Sequence, residues 1–557
     1  MGYCGAEIIV KLLERYGVTV VAGIPGGANL PLYSALHGSN IRHVLARHEQ
    51  GAGFIAHGMA RSTGKPAVCF ATSGPGATNL LTAIADAKLD SVPLIAITGQ
   101  VPSGMIGTDA FQEVDTYGMT MHITKHNFMV KSAEELLSVV PEAFSLAASG
   151  RPGPVLIDVP KDVQIEEIEL GELPDVRLSG PSLPDSSLIE RAALMIEESK
   201  RPVFYAGGGI ISSGCHEELI SLSRKNSIPV ALTLMGLGAF PPDDPLYLGM
   251  LGMHGAPFTN ITLDEADLVL ALGVRFDDRA VGNARKFCTE ASIIHVDVDE
   301  AEINKIRRAE LSIVGDAGEV LRALLPIIRR NERPEWMQRI GQLKQLCSVK
   351  QESSGDPFKP RNLVRSIARA LPDETIVTTD VGQHQMWIAQ AYPFTKPRRL
   401  LTSGGLGTMG FGLPAAIGAA LANPGRTVLC ASGDGSFQMN IQELATLAEL
   451  DLPVKIVIMN NGHLGLVRQQ QELFYDKRYI ASRFSLKLDF AALGRQFGIP
   501  GFRVAEPGDL AGALERALSE PGPCIIDIPI HYEENVYPIV PPGASNRDMI
   551  GSEFELA

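Results

Sequence analysis

The chain has 557 residues, 45% of them hydrophobic and 20% charged, with a net charge of −14 and a pI near 5.4. This length suggests about three or four units of ~150 residues, each able to bury a core, and the acidic balance argues against a nucleic-acid surface. Seven scattered cysteines without CxxC spacing favour free thiols in a reducing compartment, and no window approaches 18 uninterrupted apolar residues. A cytoplasmic protein with no membrane span, signal peptide or transit peptide is therefore expected.

Along residues 1–165, helical and apolar patterns alternate. An amphipathic helix at Gly5–Tyr16 is followed by a strand at Val18–Gly23, a helix at Gly51–Ser62, a strand at Ala67–Ala71, a helix at Thr78–Leu89 and a strand at Pro93–Thr98. The rhythm predicts an α/β fold: a doubly wound, mostly parallel sheet covered on both faces. The polar, proline-bearing segment Glu166–Pro184 reads as a linker. A second block, 185–345, carries short strands at Val203–Ala206, Pro229–Ala231, Leu268–Leu272 and Ile293–Val298. Arg329–Lys359 reads as a helix followed by a second linker, and the third block spans 360–557.

The third block contains SGDGSFQMNIQELATLAELDLPVKIVIMNN, Ser432–Asn461. An apolar run at Thr427–Ala431, a turn on Gly433-Asp434-Gly435, a helical pattern and an apolar run at Val454–Met459 make a βαβ unit. Both strand ends of such a unit emerge on one side of the sheet, so Asp434 and Asn461 can converge. A carboxylate and an amide oxygen beside a helix N-terminus suit a hard divalent cation carrying a diphosphate; an ordinary nucleotide-type glycine turn is the plainer alternative. With an offset of 359, Ala71-Thr72-Ser73-Gly74 falls on Cys430-Ala431-Ser432-Gly433, and one residue of drift brings Pro93 onto Pro453. The first and third blocks thus read as copies, with a cofactor expected between them, within a chain or across a dimer.

GDG followed by 24 residues and NN resembles the thiamine diphosphate motif. RHEQGAGFIAHGMAR at 47–61, SGPGATNL at 73–80, GTDAFQEVD at 107–115, RPGPVLIDVPKDVQ at 151–164, RFDDR at 275–279, VGQHQMW at 381–387 and GGLGTMGFGLPAA at 404–416 extend the likeness over nearly the whole chain. Together they resemble the catalytic subunit of the acetohydroxyacid synthase (acetolactate synthase) family. The resemblance implies three doubly wound domains: a pyrimidine-binding domain at 1–165, a central FAD-type domain at 185–345, and a diphosphate and Mg²⁺ domain at 360–557.

The site roles follow from that resemblance. Glu49, physically also a plausible solvated carboxylate at a helix mouth, would contact the aminopyrimidine from a neighbouring subunit and drive its iminotautomer, which takes the proton from thiazolium C2. Asp434, Asn461 and the backbone carbonyl of His463 would hold Mg²⁺; the family more often has an acidic residue at 463. Val381, Gly382, Gln383 and His384 resemble the loop that embraces the cofactor's diphosphate end, Gly435 and Ser436 would give it amide and hydroxyl donors, Gly433 would let the chain turn, and Gly407 would also bind the cofactor. Met409, elsewhere a residue type for core packing, would be the apolar wedge beneath the cofactor. Arg151, Gly207, Gly208, Gly209, Thr233, Leu234, Met235, His254, Arg275, Asp277, Arg279 and Asp297 resemble a site for FAD that takes no part in net redox chemistry. Arg275 can also grip the acceptor's carboxylate in a bidentate fork. Gly27, Phe111, Gln112 and Lys161 resemble the channel lining. Gln470 stands where many family members carry a tryptophan favouring 2-ketobutyrate, and Val540–Gly543 reads as part of a lid over the site, with a plain flexible tail as the alternative.

The implied activity is decarboxylation of pyruvate and ligation of the two-carbon unit to pyruvate or 2-ketobutyrate, the first shared step towards branched-chain amino acids. The implied assembly is a homodimer or dimer of dimers with sites at the interface, and a regulatory small subunit. Pyruvate oxidase or another carboligase of the same fold is the nearer alternative. A non-catalytic regulatory paralogue is the more distant one.

Overall fold

The computed structural model describes residues 2–169, 171, 173–174, 180, 183–347 and 356–551. Three six-stranded parallel sheets organise them. The first runs, in spatial order, Arg42–Leu45, Val20–Gly23, Ala67–Ala71, Leu94–Gln100, Val155–Pro160 and His126–Met129. The third runs Leu400–Leu401, Ile376–Thr379, Val428–Gly433, Val454–Asn460, Cys524–Pro529 and Gly501–Arg503. With the strands of each sheet counted along the chain, both orders are 2-1-3-4-6-5. The middle sheet, Tyr247–Met250, Val230–Leu232, Pro202–Ala206, Leu268–Leu272, Ser292–Asp297 and Leu311–Val314, has the order 3-2-1-4-5-6 of dinucleotide-binding folds. The central strands are buried on both faces, which is why they read as continuous apolar runs rather than alternating ones.

The repeat extends to side chains. Thr98 lies opposite Asp158 in the first sheet as Ile458 lies opposite Asp527 in the third. Gln100 donates to the Asp158 carboxylate at 3.0 Å, and Asn460 donates to Asp527 at 3.0 Å. The two copies pack on each other through the helices Glu49–Thr63 and Gly412–Ala422, where Phe54 meets Phe411 edge-on at 5.2 Å.

Three expectations change. The third-block strand does not turn on Gly433-Asp434-Gly435: it runs through Gly433, and a helix, Asp434–Phe437, begins at once. Part of the expected linker Glu166–Pro184 is ordered, since Glu167–Glu169 pairs antiparallel with Gly2–Cys4; residues 170, 172, 175–179, 181 and 182 lie outside the described residues. The expected helix within Arg329–Lys359 is Pro334–Leu346, and much of the linker after it, 348–355, lies outside the described residues.

The segment around Val540 is docked rather than loose. The His254 ring lies 3.0 Å from the Pro538 carbonyl, Val540 donates to the Met253 carbonyl, and Asn283 donates to Ala544. Val540 itself is buried.

Candidate active site

Strands one and three of the third sheet, Ile376–Thr379 and Val428–Gly433, are neighbours whose connections leave in opposite directions. A crevice opens at their carboxyl ends, as it does in open α/β sheets. It holds a cavity of about 190 Å³ lined by eleven of the predicted residues: Val381, Gly382, Gln383, His384, Gly407, Met409, Gly433, Asp434, Ser436, Asn461 and His463. Trp387 also faces it. Gly435 does not line it; a Cβ there would lie 2.7 Å from Leu464 Cδ2, so this glycine serves close packing.

Asp434 opens its helix from the end of a buried strand. Burial pushes its carboxyl up to about 7, against the backbone N–H of Asn461, which donates to it at 3.3 Å. Asn461 Oδ1 accepts the His463 N–H at 3.1 Å, and its Nδ2 donates to Gln383 Oε1 at 3.2 Å. Gln383 in turn donates to Gln469 Oε1 at 2.9 Å and to the Glu534 carbonyl at 2.8 Å. Gln469 also bonds both backbone groups of Val536. This residue was not picked out from sequence: it is one of three successive glutamines, and only helix phase separates buried Gln469 from exposed Gln470. Gln470 is not among the residues lining the cavity.

His384 is buried, and that burial holds its imidazole neutral by pushing its pKa down to about 3. Its Nε2 has no hydrogen-bond partner among the described residues. A Cβ on Gly433 would come within 2.8 Å of its Nδ1, so glycine is required where the strand passes the ring. Ser436 donates its hydroxyl to the Val381 carbonyl at 2.5 Å, tying the two loops of the crevice together.

The first sheet has the equivalent crevice edge. Glu49 opens the Glu49–Thr63 helix and accepts from Asn79 Nδ2 at 2.9 Å. A Cβ on Gly76 would lie 2.8 Å from Thr72 and 3.5 Å from Glu49 Oε1, and one on Gly74 would lie 2.9 Å from Gln112. Glu49 and Gln112 thus flank one glycine-lined turn. Phe111 beside it is 88% exposed, and Gly27 is exposed as well. Lys161 opens the short helix Lys161–Ile165. None of these residues lines the third-block cavity, so one chain carries two separate sets. A further residue unseen from sequence, fully buried Glu443, accepts the N–H groups of Arg47 and His48 at 2.9 and 3.1 Å, fixing the approach to Glu49 from the third block.

In the middle sheet, strands one and four part after Ala206 and Leu272. Cβ atoms on Gly207 and Gly209 would each lie 2.5 Å from Gly273, so the glycines allow backbone contact at this switch point. Gly208 and Met235 face a second cavity of about 90 Å³. Thr233 accepts from Gly236 N, closing the turn that holds Leu234 and Met235. Asp277 caps the helix Asp278–Val281, and Arg279 reaches Met253 Sδ. Arg275 is half-buried with no hydrogen bond or ion pair among the described residues. Arg151 is engaged by Asp299 and Glu302, which bridges the first and second blocks. Burial raises Asp297 to about 6 and lowers His254 to about 4.

Two copies of one sheet topology flanking a dinucleotide-type sheet, with a GDG…NN crevice, define a thiamine diphosphate enzyme. Family models agree: "Thiamine pyrophosphate enzyme, N-terminal TPP binding domain" matches residues 4–119, the central domain 189–324, and the C-terminal TPP binding domain 380–528. The chain is 54% identical over 552 residues to the acetolactate synthase isozyme 1 large subunit of Escherichia coli, covering 99% of this chain and 98% of that one. It is 48% identical over 561 residues to a probable acetolactate synthase large subunit of Methanocaldococcus jannaschii, covering 98% and 95%. The chain belongs to the acetolactate synthase large-subunit family of thiamine pyrophosphate enzymes. Among the described residues, no helix is long and apolar enough to cross a membrane.

Proposed function

We propose that this chain is the catalytic subunit of an acetolactate synthase, joining a two-carbon unit from pyruvate to a second 2-keto acid, pyruvate or 2-ketobutyrate. The observation that carries the reading is the switch-point cavity, where Val381–His384, the loop of Gly407 and Met409, Asp434 with Ser436, and Asn461 with His463 converge from four separate stretches of chain. Thiamine diphosphate, when bound, supplies the carbanion-stabilising chemistry that lets a 2-keto acid lose CO₂ and its remaining carbons attack a second carbonyl.

The chain's own residues bind and orient. Asp434, Asn461 and the His463 carbonyl fit a hard cation such as Mg²⁺: the carboxylate is buried with little compensation, a state that a divalent ion would relieve. The unpartnered His384 Nε2 and the close backbone at Gly382 and Gly433 fit a diphosphate end. Glu49 is the proton-handling carboxyl, Arg275 the fork for the acceptor carboxylate, and Gly27, Phe111, Gln112 and Lys161 the approach. FAD in a non-redox role is supported by the 3-2-1-4-5-6 order and the Gly207–Gly209 contact with Gly273. We assign the domains to 1–165, 185–345 and 360–557, a division that the three sheets and the three matched family spans support. Because Glu49 lies outside the cavity and Phe111 is exposed, we assign a homodimer, or a dimer of dimers, in which one chain's first block meets its partner's third block. The relatives' "large subunit" naming supports a regulatory small subunit, and the reading places the enzyme in the cytoplasm.

The test is purified protein with pyruvate, thiamine diphosphate, Mg²⁺ and FAD, assayed for acetolactate by its colour reaction with and without 2-ketobutyrate. Absence of acetolactate would overturn the reading, and pyruvate-dependent oxygen consumption would point to an oxidase instead. The absorption spectrum of the same sample tests for flavin.

A further inference from the structure

The loop that carries Met409 into the cavity is held from the first block. Asp86, fully buried in the helix Pro75–Leu89, accepts the hydroxyls of Ser403 and Thr408 at 2.5 and 2.6 Å. Ser403 Oγ accepts the Thr408 N–H at 2.8 Å. Asp90, at the end of the same helix, accepts the N–H groups of Gly404 and Gly405 at 3.0 and 2.7 Å. Arg61 bridges Asp90 and the Thr402 carbonyl. Behind Asp86 stands His57, also fully buried, its Nε2 3.3 Å from Asp86 Oδ1.

The loop needs such a tether. Four of its seven residues from 404 to 410 are glycine, and Gly407 and Gly410 take φ of +72° and +88°. A segment of this kind loses much conformational entropy when fixed. A buried His–Asp pair adds little net stability compared with apolar packing, so core stability alone does not account for placing one here. Burial pushes the Asp86 carboxyl up, but the His57 ring and the two hydroxyls outweigh it and leave the carboxyl below its ordinary range.

We infer that Asp86, backed by His57, is a positioning residue that sets where Met409 enters the cofactor cavity, acting through Ser403 and Thr408. The inference rests on the thiamine diphosphate reading above. It links two segments more than 300 residues apart and lets the first block of a chain shape the cavity in its own third block.

The experiment compares holoenzyme of the wild type, Thr408→Val combined with Ser403→Ala, Thr408→Ser, and Asp86→Asn. Three readouts are taken: kcat, cofactor Kd from the fluorescence of cavity-lining Trp387, and the exchange rate of the C2 proton of bound thiamine diphosphate by NMR. The expected result for Thr408→Val/Ser403→Ala is a fall of about 10- to 100-fold in kcat and C2 exchange, with Kd changed less than about threefold. Thr408→Ser should keep both rates near those of the wild type because its hydroxyl still reaches Asp86. Unchanged C2 exchange in the double variant, or a Kd that weakens in parallel with kcat, overturns the inference. Asp86→Asn leaves the loop's donors in place; if it folds it should slow C2 exchange, and if it does not fold, the loop-side variants decide. A wild type that neither binds thiamine diphosphate nor makes acetolactate would overturn the functional reading itself, whereas an active wild type matched by all variants overturns only the present inference.

Discussion

Gly58 and Gly418 stand 360 residues apart at equivalent places in the two repeats, and each lets its helix touch the backbone of the other. A Cβ on Gly58 would lie 2.1 Å from the Ala415 carbonyl oxygen, and one on Gly418 would lie 1.9 Å from the Ile55 carbonyl oxygen. Ile55 and Ala415 are themselves 360 apart, so the contact is reciprocal, as at a two-fold axis, but inside one chain. It fixes the first block against the third and carries Glu443 to the loop before Glu49. Gly58→Ala or Gly418→Ala should each cost about 1–3 kcal/mol by overpacking. A denaturant midpoint equal to that of the wild type in either variant would show that the helices separate easily.

If the two sets of site residues meet across subunits, two inactive variants should complement each other. Glu49→Gln and Asp434→Asn, mixed after dissociation and reassociation, give mixed dimers with one intact site and one doubly defective site. Recovery of roughly a quarter of wild-type activity is expected for random mixing. No recovery above the unmixed variants would place each site within one chain.

Glu49→Gln alone should lower kcat by about 10²–10⁴-fold, the usual span for losing a proton-transfer group. Its cofactor Kd, read from Trp387, should stay close to wild type, since the anchoring groups lie in the third block. Full activity in this variant would remove Glu49 from the chemistry.

Asn461→Ala should weaken Mg²⁺-dependent cofactor binding beyond the ~10–100-fold that changing an outer partner of a metal site costs. Gln469→Ala, which frees Gln383 and so the Asn461 amide, should fall within that range. Equal Mg²⁺ titrations for Gln469→Ala and wild type would mean that Gln383 holds Asn461 unaided.

Asp158 gives the molecule a pH signature away from the site. Burial pushes its carboxyl up to about 7 from 3.8, although Thr98 and Gln100 donate to it at 2.7 and 3.0 Å, and Asp115 adds to the rise. The folded state therefore holds this proton more tightly than the unfolded one. Its stabilising contribution is complete below about pH 4 and is lost as pH rises towards 7. Asp158→Asn can keep both partners, because the Thr98 hydroxyl can turn to accept. The variant should gain on the order of 2–4 kcal/mol over the wild type between about pH 4 and 8. Parallel stability curves would show that the carboxyl titrates normally.

Local chemistry was legible in the sequence. Ala67–Ala71 and Leu268–Leu272 are strands residue for residue, because a buried parallel strand is written as an unbroken apolar run. The copying of Ala71–Gly74 in Cys430–Gly433 pointed to two related blocks, and their sheets share the 2-1-3-4-6-5 order. Eleven expected residues fall around one cavity because each lies at the carboxyl end of a strand or in the loop or first helical turn that follows it, and strand ends in a parallel sheet share an edge. Tertiary structure alone decided the rest. It put Gln469 inside and Gln470 outside, ran the strand through Gly433 into a helix with no turn, and gave Gly435 to packing. It also set Glu443 over the approach to Glu49 and joined Asp86 to Ser403 and Thr408. The reason is one of range: periodicity and turn chemistry act over a few residues and are spelled along the chain, whereas a buried carboxylate finds its donors only after helices hundreds of residues apart have packed.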